Sequence, residues 1–353
     1  MSMFTRSIRT PVVASLSAMA IFGLSQMAWA DEVYEMDVNN WTSASHHYTK
    51  NVWDPWTKMV EEKTDGRVKV HVHQGSALGK STTVYQDVRG GLYDVGVVVP
   101  NYIYDTKFFP YTIGNLPFAL DGPDGAMTVL QEFVEKYAIP NLEDELVVFQ
   151  TMATDSYDVF SRDPIRSVED FKGKKVRING KSERPFVEAL GAVPVSIPVE
   201  EIYEAFDKGM MDVAYYTPIG GYSFKFNEPA PYFSVLAVAA TPLTPVMSLD
   251  FYESLPEDLQ QLFDDELGPA LTAMFRDSYT DLLEDSHDGL RQDAEKKGEF
   301  IELDEETIGE IRQLSKGSWY AWIEDANAKG YDGEQMVEDY FALLEKHGYE
   351  KPF

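Results

Sequence analysis

The sequence predicts an α/β fold with largely parallel sheets, and the first support is the strand–helix–strand order at its start. The segment "YEMDVNN" (34–40) alternates apolar and acidic residues, which indicates a strand. In "NVWDPWTKMVEEK" (51–63) the apolar residues recur at helical spacing, and "TDGRVKVHVH" (64–73) turns and alternates again. A βαβ unit of this kind predicts a parallel sheet.

A repeated motif is the second observation. "DVRGGLYDVGVVV" and "FDKGMMDVAYYT" both read Gly-x-x-Asp-Val followed by a small residue, beginning at Gly91 and Gly209. Each copy ends a helical pattern with glycine and enters a β-rich run, as the C-terminus of a helix leading into a strand does. The repeat predicts two lobes of related construction.

The later elements follow from the same kinds of signal. "VEDFKGKKVRING" (168–180) predicts a short helix or turn, a stop at Gly173, and a strand through Val176 and Ile178. "EEIYEAFDKG" (200–209) predicts a helix. From Asp250 onward the pattern is mostly helical and includes the amphipathic segments "IGEIRQLSKGSWYAWIEDANAKG" and "GEQMVEDYFALLEKHG".

The first thirty residues predict a secretory signal peptide. Arg6 and Arg9 precede an uncharged apolar run of about 14 residues, which is shorter than the roughly 20 that a membrane-spanning helix needs. Small residues at Ala28 and Ala30 then place cleavage after Ala30, so we expect a periplasmic protein that is not inserted in the membrane after cleavage.

Charge and cysteine content restrict the function further. The chain has 59 acidic and 30 basic residues, a formal charge of −29, and no cysteine. This balance argues against nucleic-acid or anionic-lipid partners. The absence of cysteine excludes disulfides, thiolate nucleophiles and cysteine metal sites.

Three short motifs have plain explanations. "GSALGKST" places three residues between Gly75 and Gly79, whereas a phosphate-binding loop needs four. "HVH" suggests no third metal ligand near His71 and His73, so a solvated strand face is favoured. "SHHYT" contains two histidines that could line a cleft or cap a helix. We therefore expect no catalytic residue, no metal and no cofactor.

Arg177 is the strongest binding candidate in the "KKVRING" strand. Because side chains alternate along a strand, Arg177 shares a face with Lys175 and Asn179, while apolar neighbours bury it in part. A buried guanidinium requires an anion, and its planar fork suits a carboxylate. Spacing alone leaves a salt bridge within the protein and a bound ligand equally open.

Four segments resemble one known family, the DctP-type solute-binding proteins of tripartite ATP-independent periplasmic (TRAP) transporters. They are "VEEKTDGRVKVHVHQGSALG", "NLPFAL", "RSVEDFKGKKVR" and "LGAVPVSIPVEEIYEAFDKGMMD". The resemblance runs from about Tyr34 to about Phe263.

This resemblance implies a two-lobed flytrap fold with mixed sheets, in which crossing strands and a long connecting helix join the lobes. The implied organisation is a signal peptide at 1–30, lobe I at 31–154 plus about 243–282, and lobe II at 155–242 plus about 283–353.

In the family the arginine at the position of Arg177 holds the ligand carboxylate. Tyr216 stands where many members have a pocket asparagine, and "ATDSYDVF" lacks their second arginine. The candidate ligand-binding residues are Arg177, Tyr216, Asn179, Tyr157, Tyr102, Trp41 and Tyr215. Alternation prevents Tyr215 and Tyr216 from both pointing inward, and the family match favours Tyr216.

The implied function is capture of a small organic carboxylate and its delivery to the membrane subunits of a TRAP permease. A single fixed cation favours a monocarboxylate. Tyrosine rings favour an apolar, aromatic or betaine-like remainder. A ligand-sensing subunit of a signalling system is the alternative, followed by a periplasmic enzyme. The sequence leaves the exact ligand and the oligomeric state open.

Overall fold

Two mixed β-sheets of six strands each organise the protein in a computed structural model that describes residues 32–120 and 122–353. The predicted signal peptide lies outside these residues. The strands are β1 Tyr34–Asn40, β2 Val68–Gln74, β3 Val95–Val98, β4 Leu146–Val148, β5 Met152–Ala153, β6 Asp158–Ser161, β7 Lys175–Ile178, β8 Val193–Ser196, β9 Val213–Tyr216, β10 Tyr232–Val235, β11 Pro242–Ser248 and β12 Glu299–Glu302.

The first sheet has the order β2-β1-β3-β11-β4, and β5 pairs with the other end of β11. β1 runs parallel to β2 and β3, as the opening βαβ pattern predicts, whereas β11 is antiparallel to its neighbours. On the solvent side of β2, His71 and His73 pair with Glu35 and Asp37 at 2.6 and 2.7 Å. The predicted solvated face is therefore confirmed.

The second sheet has the order β12-β10-β6-β9-β7-β8. β7 is parallel to both β8 and β9, while β6 is antiparallel to β9 and β10. The strand predicted through Val176 and Ile178 is thus an inner strand, buried on both faces. The α/β class with mixed sheets is confirmed. The prediction of largely parallel sheets is wrong, because five of the ten strand pairs among the described residues are antiparallel: β11 and β6 each run against their neighbours.

Helices cover both sheets. They are α1 Asp54–Lys63, α2 Val84–Arg89, α3 Gly122–Gly125, α4 Gln131–Tyr137, α5 Arg184–Ala189, α6 Ile202–Asp207, α7 Pro218–Ser223, α8 Leu249–Ser254, α9 Glu257–Leu262, α10 Gly268–Thr280, α11 Leu283–Ala294, α12 Glu305–Leu314, α13 Lys316–Ala328 and α14 Gly333–Lys346. No helix within the described residues is long and apolar enough to span a bilayer.

The Gly-x-x-Asp repeat makes the same backbone contacts in each sheet. The Asp94 carboxylate accepts a hydrogen bond from the backbone N–H of Asp37 in β1, at 2.7 Å, and its own N–H donates to the Asp37 carbonyl. The Asp212 carboxylate accepts from the N–H of Lys175 in β7, at 2.9 Å, and returns a bond to the Lys175 carbonyl. Each aspartate therefore fastens the entry of one strand to its parallel neighbour.

Two short segments carry the chain between the sheets, 154–157 after β5 and 236–241 before β11. They run side by side, because the N–H of Thr154 donates to the carbonyl of Thr241 at 3.1 Å and the N–H of Val238 donates to the carbonyl of Tyr157 at 3.0 Å. These two segments, called the crossing segments below, correspond to the crossing strands that the family resemblance implies.

A continuous helical stretch forms the implied long helix. It comprises α9, a π-helical turn at Phe263–Leu267 and α10. The indole of Trp56 donates to the carbonyl of Leu267 at 2.8 Å, and α11 continues onto α7 beside the second sheet. The stretch itself therefore packs beside the first sheet, and α11, which follows it, reaches elements of the second.

The C-terminal helices α13 and α14 also contact both halves. The indole of Trp322 donates to Thr112 at 2.9 Å, and the hydroxyl of Tyr340 donates to the carbonyl of Ala119 at 3.0 Å, while α13 packs on α5. Residues Val33–Phe353 form one compact unit. We propose that α13 bridges the two lobes and that α14 packs on lobe I, which differs from the expected assignment of 283–353 to lobe II alone.

Candidate ligand-binding site

Arg177 lies on β7 between the parallel strands β8 and β9, and its side chain is 0% exposed. Its Nε donates to the carbonyl of Ile197 and its Nη2 donates to the hydroxyl of Tyr102, both at 3.0 Å. Nη1 has no hydrogen-bond partner among the described residues. Both partners are neutral oxygens, so the guanidinium presents one nitrogen for which a buried anion is the natural partner.

The charge on Arg177 is maintained despite its burial. Desolvation opposes the charged form, but Tyr102, Tyr157, Glu183 and Tyr216 together raise the pKa of Arg177 above its ordinary value. The guanidinium is therefore a fixed cation at neutral pH.

Three of the predicted tyrosines surround this cation. The ring centroid of Tyr216 lies 5.8 Å from the Arg177 guanidinium carbon, and the rings of Tyr157 and Tyr216 lie 5.6 Å apart. Tyr102 reaches Arg177 from a 3₁₀ turn at Pro100–Ile103 after β3. Burial raises the pKa of each phenol above its ordinary value, so all three hydroxyls stay protonated.

Asn179 joins the cluster through a buried polar network. Its Nδ2 donates to Thr241 Oγ1 at 2.6 Å and to the Tyr157 hydroxyl at 3.3 Å, while Oδ1 has no partner among the described residues. Thr241 in turn donates to Tyr157 at 2.6 Å. Thr241 lies on one crossing segment and Tyr157 on the other, so the network fixes the site to the connection between the sheets.

Glu183 is an acid beside the site to which no sequence pattern points. Its Oε2 accepts a hydrogen bond from the backbone N–H of Asn179 at 2.5 Å. Burial raises the pKa of Glu183 to about 7, although the nearby Arg177 charge opposes this rise. The carboxyl therefore titrates near neutral pH.

The remaining two predicted residues lie elsewhere. Tyr215 projects from the other face of β9 and packs against Phe171 and Phe186, with ring centroids 6.0 and 5.8 Å away. The structure does not bring it to Arg177. Trp41 is buried in the loop after β1, and its ring meets that of Tyr48 edge-on, with ring centroids 5.5 Å apart. It therefore borders a group of aromatic residues that includes Tyr48.

Several aromatic residues continue the surface away from Arg177. The ring centroid of Phe224 lies 6.4 Å from that of Tyr216 and 4.6 Å from that of His46. The hydroxyls of Tyr48 and Tyr279 hydrogen-bond to each other across 231 residues of sequence. The histidines of "SHHYT" gave a signal for a cleft, but nothing in the sequence points to Tyr279 or Phe224.

A groove of about 440 Å³ opens beside the cluster. Most of the residues that line it come from the segment after β3 (101–106) and from the ends of β7 and β8 with the segments that follow them (178–184 and 196–198), and Thr82 and Gln86 complete the lining. Tyr102 and Asn179 belong to both the groove and the Arg177 cluster. The groove therefore opens beside two residues of the Arg177 cluster.

The described residues contain no group of three or more histidines and acids placed to hold a metal ion. The Arg177 cluster offers one fixed cation, neutral phenols and the Asn179 amide, with the buried carboxyl of Glu183 beside them. This chemistry suits reversible binding of an anion with an aromatic or apolar body.

Comparison with known proteins identifies the family. The model of the DctP family, described as "Bacterial extracellular solute-binding protein, family 7", matches residues 38–325. The ectoine-binding periplasmic protein TeaA of Halomonas elongata is 26% identical over 280 residues, which cover 73% of this chain and 74% of TeaA.

Two solved structures share the fold. A TRAP solute-binding protein of Rhodoferax ferrireducens, crystallised with copurified benzoate, is 21% identical with a TM-score of 0.80 and covers 90% of this chain and 99% of its own. A marine metagenome TRAP solute-binding protein specific for aromatic acid ligands, co-crystallised with 3-hydroxybenzoate, is 24% identical with a TM-score of 0.80 and covers 91% of this chain and 100% of its own. The chain belongs to the DctP family and is a solute-binding protein of the TRAP type.

Proposed function

We propose that this protein is a periplasmic receptor that binds an aromatic monocarboxylate and delivers it to the membrane subunits of a TRAP permease. The observation that carries the proposal is the buried Arg177 guanidinium, whose Nη1 has no partner among the described residues. A ligand carboxylate supplies the missing acceptor, and charge-assisted bonds of this kind are about twice as strong as neutral ones.

The aromatic part of the proposal comes from the rings beside the cation. The Arg177 guanidinium lies over the ring of Tyr216, Tyr157 packs against Tyr216, and the ring centroid of Phe224 lies 6.4 Å from that of Tyr216. An arene that lies against these rings gains offset or edge-on contacts in addition to removing apolar area from water. A sugar acid would leave many hydroxyls without partners here.

One carboxylate is favoured because one buried cation is present. Arg177 is the only arginine or lysine among the buried side chains of the described residues. A second carboxylate buried without a fixed cation is costly. A C4 dicarboxylate therefore fits this site less well than a monocarboxylate.

The comparisons support this ligand class without deciding it. The two structural relatives bind benzoate and 3-hydroxybenzoate, but their low identity carries only the fold to this chain. The buried arginine and the neighbouring rings are the features of this chain that agree with such ligands.

A betaine-like zwitterion is the second candidate. Tyrosine faces attract a quaternary or otherwise soft cation by about 0.5–2 kcal/mol each. TeaA, a relative with comparable coverage, is named for its binding of ectoine. The carboxylate of such a ligand would also use Arg177, so the remainder of the molecule distinguishes the two candidates.

A ligand panel tests the proposal. Thermal-shift measurements on the mature protein, followed by calorimetry, should include benzoate, a branched keto acid, glycine betaine, succinate and glucuronate. We expect the largest stabilisation from benzoate. Stabilisation chiefly by succinate or glucuronate would contradict the proposal, and a betaine response alone would favour the second candidate.

The proposed role in transport has its own test. Deletion of the gene should abolish uptake of the ligand, and chemical recovery of the unchanged ligand after incubation should exclude turnover. Loss of a transcriptional response with uptake intact would instead favour a sensing subunit, and conversion of the ligand would favour an enzyme.

A further inference from the structure

Two adjacent buried histidines each have one ring nitrogen without a hydrogen-bond partner among the described residues, and neither nitrogen has a role in the proposed site so far. His46 and His47 follow β1, and their side chains are 2% and 5% exposed. Their rings lie 4.4 Å apart, and the Nε2 atom of each has no hydrogen-bond partner among the described residues. Buried polar atoms are nearly always paired, so two adjacent exceptions need an explanation.

The hydrogen bonds of His46 fix its tautomer. The backbone N–H of Tyr48 donates to His46 Nδ1 at 3.2 Å, so Nδ1 carries no proton. Burial, with a contribution from His47, holds the pKa of His46 well below its ordinary value, and the ring is neutral. The single ring proton therefore lies on Nε2, which is a donor without an acceptor.

His47 has the opposite arrangement. The hydroxyl of Ser278 donates its one proton to the carbonyl of Phe275 at 2.8 Å, so it can only accept from the nearby His47 Nδ1 at 3.3 Å. Burial lowers the pKa of His47 to about 3, which leaves this ring neutral as well. Its proton lies on Nδ1, and Nε2 is an acceptor without a donor.

The imidazoles lie at the end of the aromatic surface that begins at Arg177. His46 contacts Phe224 at 4.6 Å, Phe224 lies 6.4 Å from Tyr216, and the Tyr216 ring lies 5.8 Å from the guanidinium carbon. His46 follows a strand of the first sheet, whereas Phe224 follows α7 beside the second. The contact between them therefore links residues that follow elements of the two different sheets.

We propose that His46 and His47 form a hydroxyl-recognition subsite, so that the ligand is an aromatic carboxylate with a hydroxyl group remote from its carboxylate. The inference rests on the proposed function, because it assumes that Arg177 holds the carboxylate. A phenol hydroxyl can accept from His46 Nε2 and donate to His47 Nε2 at once. A methyl group of similar size can do neither and leaves both nitrogens unpaired, which a site built for a hydroxyl rejects strongly.

Calorimetry with paired ligands tests the subsite in the mature protein. The ligands are benzoate, 3- and 4-hydroxybenzoate, and 3- and 4-methylbenzoate, in which a methyl group replaces each hydroxyl. We expect one hydroxybenzoate to bind at least about tenfold more tightly than its methyl counterpart. His46→Leu should remove this preference without weakening methylbenzoate, while His46→Gln, which keeps an N–H donor, should retain part of it.

His71→Leu is the matched control, because His71 is exposed on β2 and pairs with Glu35. It should leave the preference unchanged. A second readout needs no variant: nitrogen-15 spectra of the unliganded protein should show protonation at Nε2 of His46 and at Nδ1 of His47.

Three results would overturn the subsite. They are equal affinity for hydroxy- and methylbenzoates in the natural protein, a preference that survives His46→Leu in a folded variant, and tautomers opposite to those assigned. The first two leave the proposed function standing if benzoate binds through Arg177. Failure of every aromatic carboxylate to bind would reject the proposed function, and the subsite would be rejected with it.

Discussion

Arg177 Nη2 donates a 3.0 Å hydrogen bond to the hydroxyl of Tyr102, and the two residues come from different sheets. Arg177 lies on β7 of the second sheet, whereas Tyr102 follows β3 of the first. Arg177, which holds the carboxylate of the proposed ligand, is therefore oriented by a residue that follows a strand of the other sheet. The direction of its guanidinium depends on how the two sheets are placed relative to each other.

Replacing Tyr102 by phenylalanine should weaken binding while keeping the ring. The substitution leaves a second guanidinium nitrogen unpaired and removes a restraint on its direction, so we expect the affinity for benzoate to fall about tenfold. Calorimetry measures the effect. Tyr203→Phe is the control, since that exposed hydroxyl pairs with Glu228 on the surface. Equal losses in both variants, or none in Tyr102→Phe, would show that this bond does not orient Arg177.

Asp94→Ala and Asp212→Ala should destabilise the protein by similar amounts. Each removes a charge-assisted bond to a backbone N–H of the neighbouring parallel strand, at 2.7 and 2.9 Å. We expect each substitution to lower the free energy of unfolding by about 1–3 kcal/mol. Urea unfolding measures this, and Asp163→Ala, which removes only an exposed pair with Lys174, should change it little. A large effect at one position alone would refute a shared role.

The repeat that contains these aspartates shows how much of the fold a short sequence pattern can reveal. The glycine and the aspartate three residues later recur together in each proposed lobe. The glycine allows a chain reversal with positive φ, 70° at Gly91 and 66° at Gly209, and the aspartate carboxylate then accepts a hydrogen bond from the neighbouring strand. The start of β7 and the faces on which its side chains lie were also predictable from a local pattern. Gly173 ends the preceding turn, and because side chains alternate along a strand, Arg177 lies on the face opposite to that of Val176 and Ile178.

Other features depend on contacts between distant residues, which local patterns do not record. The four-residue strand β12 lies among helices and forms only because β10 offers a free edge. The segment predicted as one helix over 308–330 divides at Ser315, whose hydroxyl donates to the Arg312 carbonyl at 2.8 Å. Tyr48 meets Tyr279 only after the long helix has returned to the first sheet.

Glu183 predicts a specific dependence of stability on pH. The pKa of this carboxyl is about 7 in the folded protein against an ordinary value of 4.5. Between these values the folded state binds more protons than the unfolded state, so this residue lowers the free energy of unfolding as pH rises from about 4.5 to about 7. The full effect is roughly 3 kcal/mol.

Urea unfolding of the natural protein and Glu183→Gln at several pH values measures this contribution. The glutamine cannot ionise, so the variant should gain stability relative to the natural protein as pH rises through this interval. Glu188→Gln, at an exposed position paired with Arg184, should show no such trend. A constant difference between the natural protein and Glu183→Gln would contradict the elevated pKa.

Ligand binding should close the two proposed lobes about the crossing segments. The site draws residues from both sheets, so a bound ligand favours the state in which they meet. Small-angle scattering should give a smaller radius of gyration at saturating ligand. Trp41, which borders the cluster beside Tyr48, should report the change by fluorescence, and Trp41→Phe should remove that signal. Superimposable scattering curves would argue against closure.

Calorimetry of benzoate binding to the natural protein and to Arg177→Ala tests whether this one buried cation holds the ligand carboxylate. We predict binding to the natural protein and a loss of about 2–5 kcal/mol, roughly 30-fold to several thousand-fold in affinity, in Arg177→Ala. Arg166→Ala, which removes an exposed cation paired with Glu299, should bind normally. Unchanged affinity in a folded Arg177→Ala protein would show that Arg177 does not hold the ligand carboxylate.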